Sequence, residues 1–337
     1  MLLVDAVFVN NGGGLVLLKY LLDEISKNNI KAFFLLDERA KPQLLDYSGD
    51  SVKFIHGSLF SRHNFYKENI DLFSKVICFG NIPPTIKTDA KVFVYFQQKL
   101  YLEIPLSLSF KEKFFLKIKQ IILSFLSENT NFWLVQSDYI GRELSEKYLK
   151  GNRDKVLNIP FYPEIDFRRN VVERRMGAFI FVSNSAPHKN HLRLIEAFCL
   201  AYDQEKRGQL TLTIPSYNRS LCEIVRNKNE LGYPIKNVGF IEREKLIELY
   251  LSHEYLIFPS LAESLGLGLA EGIDAGCKVI AADLDYTYEV CKPSLVFDPL
   301  SVDSIRDSIV VALQNDLPHS RKLIANDITK LIQFLKD

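Results

Sequence analysis

The chain has 337 residues, enough for about two domains of ordinary size. Hydrophobic residues make up 47% and charged residues 25%, as in a globular protein with sizeable cores, and the net charge of +1 gives no basic excess for nucleic-acid binding. The five cysteines form no C-x-x-C pair and are expected to be reduced thiols. No apolar run reaches the roughly 18 residues of a spanning helix, and no basic segment of a secretory signal precedes the first strand-like run. A cytoplasmic protein is therefore expected.

Strand-like runs alternate with helical or irregular stretches in the N-terminal half. The first strand, over 2–9, is followed by Gly12, Gly13 and Gly14 and by a helical stretch over 15–28. A strand, a glycine turn and a helix can form an anion site at the helix N-terminus, and a flexible turn is the alternative. The remaining strands of this half are predicted over 32–36, 52–56, 75–79, 91–96, 132–137 and 156–160. This alternation predicts a mostly parallel α/β sheet.

One helical stretch, FKEKFFLKIKQIILSFL over 110–126, is strongly apolar but carries interspersed lysines. Helical spacing places Lys113, Lys117, Gln120 and Ser124 on one stripe, and apolar side chains cover the rest of the surface. Two interpretations stay open. The helix either lies on an anionic bilayer or packs on the sheet with its lysine stems along the surface.

A second α/β pattern begins with the apolar run 179–182. The turn after it, SNSAPHKNH, leads into a helical stretch over 192–203. His188 and His191 have helical spacing, but without a further ligand we expect them to pack the turn rather than to bind zinc. Strands are then predicted over 210–214, 255–258, 278–282 and 295–297, with helices over 243–252 and 304–314 and an amphipathic stretch over 323–336.

The stretch 258–283, FPSLAESLGLGLAEGIDAGCKVIAAD, combines a strand end, a glycine-containing turn, a helix and a second buried strand. Gly266 and Gly268 lie in or beside the turn, and Gly276 stands where a helix C-cap is expected. A turn of this kind leaves backbone N–H groups and the positive end of a helix dipole available to an anion.

Two carboxylates in this unit, Glu263 and Glu271, are eight residues apart. On one helix they would be separated by about 12 Å along the axis, too far to share a proton or a small metal ion. They suit two hydroxyl-bearing groups of a long ligand with a diphosphate between them, which is the layout of a nucleotide sugar. Two solvated glutamates on a surface helix are the alternative. The Asp-x-Asp sequence Asp283-Leu284-Asp285 is interpreted as a chance match, so no metal or cofactor is expected.

The segment PSLAESLGLGLAEGIDAGCKVIAAD resembles the Glu-x7-Glu segment of retaining GT-B glycosyltransferases of family 4 type, which include the group 1 enzymes of bacterial surface polysaccharides. The match includes the Pro-Ser pair, Gly266 and the Ala-Gly before the next strand. The resemblance implies an α/β protein with two Rossmann-like, doubly wound domains facing a cleft. We expect an N-terminal acceptor domain over 1–165, a nucleotide-sugar domain over 166–320, and a terminal helix over 321–337 that crosses back to the first domain.

The same resemblance implies roles for individual residues. Glu263 would contact the donor sugar, and Glu271 would bind the ribose hydroxyls. The backbone of Ser264, Leu265 and Gly266 would lie against sugar and phosphate. In the turn after the first strand of the second domain, Lys189 matches a lysine on the donor diphosphate, where an ammonium offsets the charge that grows as the diphosphate leaves.

Other positions match by place or depart from the family pattern. Gly12, Gly13 and Gly14 match a glycine-rich loop that faces the donor diphosphate. Many members carry a histidine beside the donor sugar, where this chain has Gln97 and Gln98, which supply hydrogen bonds but no titrating group. Many members also have an arginine where this chain has Asn184. In the family, the glycine-containing stretch that matches 237–241 borders the nucleotide base. Phe240 could stack on the base there, but a core position is expected for it.

The resemblance implies a retaining hexosyltransferase that moves a sugar from a nucleotide-diphosphate sugar to a glycan or lipid-linked acceptor. The product would be a bacterial polysaccharide such as the O-antigen of lipopolysaccharide or a capsule. In the family-based account the acceptor attacks the face that the diphosphate leaves, and no protein nucleophile is required. The expected location is cytoplasmic and peripheral on the inner face of an anionic membrane. A non-catalytic nucleotide-sugar sensor and a hydrolysing nucleotide-sugar epimerase of the same fold are the alternatives.

Overall fold

The computed structural model describes residues 1–104, 109–165, 167 and 172–336. The chain divides into two compact units. The N-terminal unit comprises Met1–Pro163 and Ala325–Asp337, and the C-terminal unit comprises Glu164–Ile324. The predicted division fell between residues 165 and 166, and residue 166 lies outside the described residues.

Within the described residues, seven parallel strands form the sheet of the N-terminal unit. They are β1 (Leu2–Ala6), β2 (Ala32–Asp37), β3 (Val52–Ile55), β4 (Lys75–Cys78), β5 (Lys91–Tyr95), β6 (Phe132–Val135) and β7 (Val156–Asn158). Their order is β3-β2-β1-β4-β5-β6-β7, so the winding direction reverses between β1 and β4. This is a doubly wound, Rossmann-like sheet, and ligands of such sheets bind beyond the carboxyl ends of the strands near the reversal.

The helices of this half follow the strands. They are α1 (Gly12–Lys27), α2 (Leu59–Asn69), α3 (Phe110–Leu126) and α4 (Asp138–Tyr148). Helix α1 buries Leu18, Leu22 and Ile25, which recur every three or four residues and cover one side of the helix. Helix α3 departs from this pattern, because most of its apolar side chains are exposed.

A buried polar cluster fixes the end of β1. Arg62 of α2 is fully buried, and its Nε lies 2.6 Å from Oδ2 of Asp5 on β1. The Tyr66 hydroxyl donates to the same carboxylate oxygen at 2.6 Å, and the Val7 N–H donates to Asp5 Oδ1 at 3.2 Å. Burial, together with the Asp5 charge, holds the pKa of Tyr66 well above its usual value, so its hydroxyl remains a donor. The cluster thereby anchors the chain where it leaves β1 for the glycine turn.

The C-terminal unit repeats the same strand order. Over the described residues its main sheet contains β8 (Arg175–Phe181), β9 (Gln209–Leu212), β10 (Ile235–Asn237), β11 (His253–Phe258), β12 (Lys278–Ala282) and β14 (Leu295–Phe297), all parallel. Their order is β10-β9-β8-β11-β12-β14, with the reversal between β8 and β11. A short antiparallel pair joins β13 (Cys291–Lys292) to β15 (Arg321–Lys322).

The helices of the C-terminal unit are α5 (His191–Glu205), α6 (Arg219–Glu230), α7 (Arg243–Ser252), α8 (Leu267–Asp274), α9 (Asp285–Val290) and α10 (Val302–Gln314). The last helix, α11 (Ile328–Lys336), belongs to the N-terminal unit. The helix begins later than residue 323, the predicted start. The Asp327 N–H, just before the helix, donates to the carbonyl oxygen of Pro160. In the described part of the chain, no helix has both the length and the apolar character needed to cross a membrane.

Candidate active site

The loops that follow β8 and β11 are hydrogen-bonded to each other at the carboxyl end of the C-terminal sheet, because these strands are neighbours and end side by side. The Leu261 N–H donates to the carbonyl oxygen of His188 at 2.7 Å. Asn190 adopts a left-handed conformation with φ 64°, which asparagine tolerates better than most residues. Its side-chain amide donates to the carbonyl oxygens of Pro259 and Pro299 at 3.2 and 2.7 Å. Asn190 therefore ties together the loops that follow β8, β11 and β14.

Lys189 and Glu263 form an ion pair across these joined loops. Lys189 Nζ lies 2.5 Å from Glu263 Oε1, although the residues are 74 positions apart in the sequence. Their side chains are 14% and 13% exposed, so the pair is largely buried but open to solvent on one side. The structure thus brings together the two residues predicted for catalysis. An incoming anion would compete with Glu263 for the ammonium group.

The two histidines of this turn add no positive charge at neutral pH. Burial, followed by the nearby Lys189 ammonium, lowers the pKa of His188 below its usual value. The same two causes lower the pKa of His191 to about 4. The buried His191 ring packs against Phe181, with ring centroids 5.0 Å apart. The positive charge of the turn is therefore that of Lys189.

Metal ligands do not gather around these loops. Among the residues that the structure describes, no group of three or more His, Cys, Asp or Glu side chains could hold a metal ion. Asp283 accepts a hydrogen bond from the Tyr288 hydroxyl at 2.5 Å, and Asp285 lies in the first turn of α9. The absence of a metal requirement stays a prediction.

The loop that carries Glu263 leads directly into α8. Gly266 occupies the position before the helix with φ +65°, a left-handed conformation that favours glycine. Leu265 is buried and Ser264 half-buried, so the loop is held against the unit by its apolar side chain. The Tyr286 hydroxyl donates to the carbonyl oxygen of Ser260 at 2.7 Å. The loop therefore places the N-terminus of α8 a few residues after Glu263.

Glu271 lies further along the chain, within α8, so the two glutamates do not share one helix. Its side chain is buried, and Oε2 accepts a hydrogen bond from the Tyr250 hydroxyl at 3.2 Å. Gly268 permits this packing, because a Cβ at that position would lie 3.2 Å from Phe258 Cε2 and 3.5 Å from the Tyr250 hydroxyl oxygen. Glu271 is thus a positioned carboxylate rather than a solvated surface group.

The glycine cluster of the N-terminal unit forms the first turn of α1. Gly12 has φ +62°, and apart from chain neighbours and the backbone of α1 itself, no described atom lies within 4 Å of where a Cβ would stand on Gly12 or Gly13. A Cβ on Gly14 would lie 3.7 Å from Gln97 Oε1. Two predicted donor-binding elements of this unit therefore meet at the carboxyl end of its sheet.

The two glutamines have different environments. Gln97 Nε2 donates to the carbonyl oxygen of Phe79 at 3.1 Å, and its backbone N–H donates to Asn81 Oδ1 at 2.5 Å. These bonds fix the side chain beside the glycine turn. Gln98 Oε1 instead accepts from the backbone N–H of Leu100 and caps a short 3₁₀ helix. Of the two predicted sugar contacts, Gln97 is therefore the better placed.

A depression of about 590 Å³ adjoins the turn after β8, and the sequence did not indicate it. It is lined by Asn184, Ser185, Ala186, Tyr217, Asn218, Arg219 and Ser220. The last four residues follow β9, whose carboxyl end lies next to that of β8. The order of the strands is therefore the signal that could have indicated this depression. Arg219 brings a guanidinium to the depression that Asn184 also lines. Tyr217 is 77% exposed there.

The expectation that Phe240 belongs to the core was wrong. Its side chain is 78% exposed. Phe240 follows β10, the strand next to β9, after a glycine with φ +75°. The ring lies in the loop between β10 and α7, outside the sheet, and an apolar residue in the sequence does not by itself distinguish a core aromatic from an exposed one.

Comparison with known proteins gives a family match for the C-terminal unit. The family model described as glycosyl transferases group 1 matches residues 164–330, which include the whole C-terminal unit. That unit belongs to the group 1 glycosyltransferase family. The match contains both members of the ion pair, the Gly266 turn and Glu271.

The chain also matches an individual relative. It is 28% identical over 145 residues to O-antigen chain mannosyltransferase B of Escherichia coli, a match covering 42% of this chain and 38% of that protein. The chain thus matches well under half of this relative's length.

Solved structures share the fold. Sucrose-phosphate synthase from Thermosynechococcus elongatus superposes with a TM-score of 0.69 at 16% identity, covering 93% of this chain and 89% of that one. Anabaena HepE, solved in complex with UDP and glucose, gives 0.64 at 14% identity with the same two coverages. These likenesses show that the fold is GT-B.

Proposed function

We propose that this protein is a retaining glycosyltransferase that moves a sugar from a nucleotide-diphosphate sugar to a glycan or lipid-linked acceptor in bacterial polysaccharide synthesis. The observation that carries the proposal is the Lys189–Glu263 ion pair, 2.5 Å long, between the loop that follows β8 and the loop that leads from β11 to α8. The pair brings one cation and one carboxylate side by side, which would suit the phosphates and the hydroxyls of a sugar diphosphate.

The donor would be held by its charges and hydroxyls. Lys189 and the N-terminal N–H groups of α8 would bind the diphosphate, because both present positive potential to an anion. Glu263, released from Lys189 by the phosphates, would accept hydrogen bonds from sugar hydroxyls. The backbone of Ser264, Leu265 and Gly266 would lie along sugar and phosphate. Glu271 would accept hydrogen bonds from the ribose hydroxyls.

Two features of the N-terminal unit would also suit a ligand of this kind. Gly12 and Gly13 leave backbone N–H groups at the start of α1 without a covering side chain, which suits the approach of a phosphate. Gln97 would donate or accept one hydrogen bond at the donor sugar. It has no titrating group, so we propose that it orients the sugar and transfers no proton.

The chemistry would be a substitution at the anomeric carbon. The acceptor oxygen forms a bond to that carbon while the bond to the diphosphate oxygen breaks, and the acceptor proton passes to the departing diphosphate. Attack on the face that the diphosphate leaves retains the anomeric configuration. Lys189 contributes most as the bond breaks, because the leaving oxygens then carry the most charge.

Family membership and the name of the E. coli relative favour transfer over the two alternatives, a sensor and a hydrolysing epimerase. Titration against a panel of nucleotide sugars tests the proposal. GDP-mannose belongs in the panel because that relative is a mannosyltransferase, and UDP-glucose because HepE was solved with UDP and glucose. Binding followed by acceptor-dependent release of the nucleoside diphosphate, with the anomeric configuration kept in the product, is expected. Binding without turnover would identify a sensor, and acceptor-free epimerisation would identify an epimerase.

We propose a peripheral location at the inner face of the membrane, because a lipid-linked acceptor presents its sugar at that interface. This part of the proposal rests on the acceptor class. Vesicles that carry extracted lipid-linked oligosaccharide, compared with the same glycan released into solution, would show which acceptor is used.

Activity is expected to persist in excess EDTA. The proposed site offsets the diphosphate charge with Lys189 and the helix N-terminus, so a divalent cation is not needed for that purpose. Turnover of the donor that the panel identifies is measured before and after dialysis against EDTA. Loss of turnover that magnesium or manganese restores would contradict the prediction and would direct attention to Asp283 and Asp285.

A further inference from the structure

Helix α3 has an apolar stripe on its outward side. Of the twenty large apolar side chains that are exposed within the described residues, six belong to this one helix of 17 residues. They are Phe110, Phe114, Phe115, Ile118, Ile121 and Phe125. The rings of Phe110 and Phe125, near the two ends of the helix, are 86% and 81% exposed. A globular protein rarely leaves so much apolar surface uncovered on one element.

Five of these residues form a continuous line. At about 100° per residue, positions 110, 114, 118, 121 and 125 fall within an arc of about 80° along the whole helix. The helix packs on its unit through the opposite half, where Leu123 joins the core and Gln120 Nε2 donates to the carbonyl oxygen of Tyr101 at 3.1 Å. The exposed apolar stripe and the side that packs on the unit are therefore different sides of the helix. The stripe is not part of the core.

Positive charge borders the stripe on both edges. At about 100° per residue, Lys111 lies about 20° beyond Ile118 and Lys117 about 20° beyond Phe110 on the other side. The helix carries four lysines against one glutamate, whereas the whole chain has a net charge of only +1. That glutamate, Glu112, lies away from the stripe and accepts the N–H of Ser109 at 2.9 Å in a capping box.

We infer that the α3 stripe is a docking surface for an anionic lipid bilayer. An apolar line flanked by lysines fits the boundary between acyl chains and headgroups, with the aromatic rings inserted and the ammonium groups at the phosphates. A two-fold dimer through the same stripe would bring lysines of both copies together, so like-charge repulsion disfavours a second copy as the occupant. Docking of this kind does not depend on the proposed transfer reaction, and it would place the protein beside lipid-linked molecules.

Vesicle sedimentation tests the inference with the full chain. The wild type is expected to sediment with phosphatidylcholine vesicles that contain phosphatidylglycerol, and not with phosphatidylcholine alone. Binding should weaken as salt rises, since the Debye length falls from about 30 Å at 0.01 M to about 3 Å at 1 M. No sedimentation with the anionic vesicles at low salt would overturn the inference, whatever the enzymatic activity.

Two double variants and a matched control locate the surface. Lys111→Gln with Lys117→Gln should lower the partition coefficient about 30-fold, since each lysine near an anionic surface contributes about fivefold. Phe114→Ser with Phe125→Ser should lower it at least about tenfold, because the inserted rings are lost. The control is Phe60→Ser with Lys67→Gln on α2, where Phe60 is 73% exposed and Lys67 is also exposed.

The control variant should bind vesicles as the wild type does. Equal losses in the control and the α3 variants would contradict a specific α3 surface. Sedimentation velocity without lipid supplies the last readout. A wild-type dimer that Phe114→Ser with Phe125→Ser converts to a monomer would assign the stripe to a second copy and overturn the membrane inference. Circular dichroism and melting temperature of all variants should match the wild type, because every substituted side chain is exposed.

Discussion

Replacing Lys189 with methionine is expected to lower kcat by about 100- to 1000-fold, the loss that follows removal of one preorganised group facing transition-state charge. The ammonium group lies 2.5 Å from Glu263 Oε1 and would move to the diphosphate when the donor binds. Its interaction strengthens as the bond breaks, so kcat should fall more than the affinity for the donor. Steady-state kinetics and titration with the same nucleotide sugar measure the two quantities.

Controls separate this effect from misfolding. Lys189→Arg keeps the positive charge and should recover part of the lost kcat. Lys236→Met removes an exposed lysine from the same unit and should change neither kcat nor affinity. If Lys189→Met keeps the wild-type kcat with an unchanged circular-dichroism spectrum, Lys189 does not lie at the phosphates.

Local sequence signals predicted the repeating strands well, because buried parallel strands are short, continuous apolar runs. They missed α2, and the reason is a contact far away in the sequence. Helix α2 buries Arg62, a residue type that is expected at the surface. Its burial depends on pairing with Asp5, 57 positions earlier in the sequence. An apolar-periodicity argument cannot detect a helix whose buried side contains a charge.

The sequence allowed residues of the candidate site to be proposed one by one, but not their arrangement. Lys189 and Glu263 were each identified from a local motif, yet their ion pair depends on β8 and β11 being neighbours. Arg219 was not identified at all, because it becomes relevant only when the loop after β9 lies next to the loop after β8. Helix α3 shows the converse limit. Its sequence gives the width of the apolar surface but not which side packs on the sheet.

Replacing Glu271 with alanine is expected to weaken binding of the donor nucleoside diphosphate by about 1.5–3 kcal/mol, or about 10- to 150-fold in Kd. The proposed role is to accept hydrogen bonds from the ribose hydroxyls, and a hydrogen bond to a charged group contributes about that much. The Tyr250 hydroxyl holds one oxygen of the carboxylate at 3.2 Å, so the group is positioned before the ligand arrives. Titration calorimetry with the nucleoside diphosphate identified by the panel gives the difference.

A ligand lacking the ribose hydroxyls makes the Glu271 test specific. The wild type should bind the 2′,3′-dideoxy nucleoside diphosphate about as weakly as Glu271→Ala binds the natural nucleoside diphosphate. The substitution should have little further effect on the affinity for the dideoxy ligand. Glu230→Ala removes an exposed glutamate from α6 and should leave both affinities unchanged. Tyr250→Phe should weaken binding of the nucleoside diphosphate by less, about 0.5–1.5 kcal/mol, because it removes one hydrogen bond that positions the carboxylate but keeps the carboxylate itself. If Glu271→Ala weakens binding of the dideoxy ligand as much as binding of the natural one, the loss of affinity comes from a disturbed α8, and Glu271 is not the ribose contact.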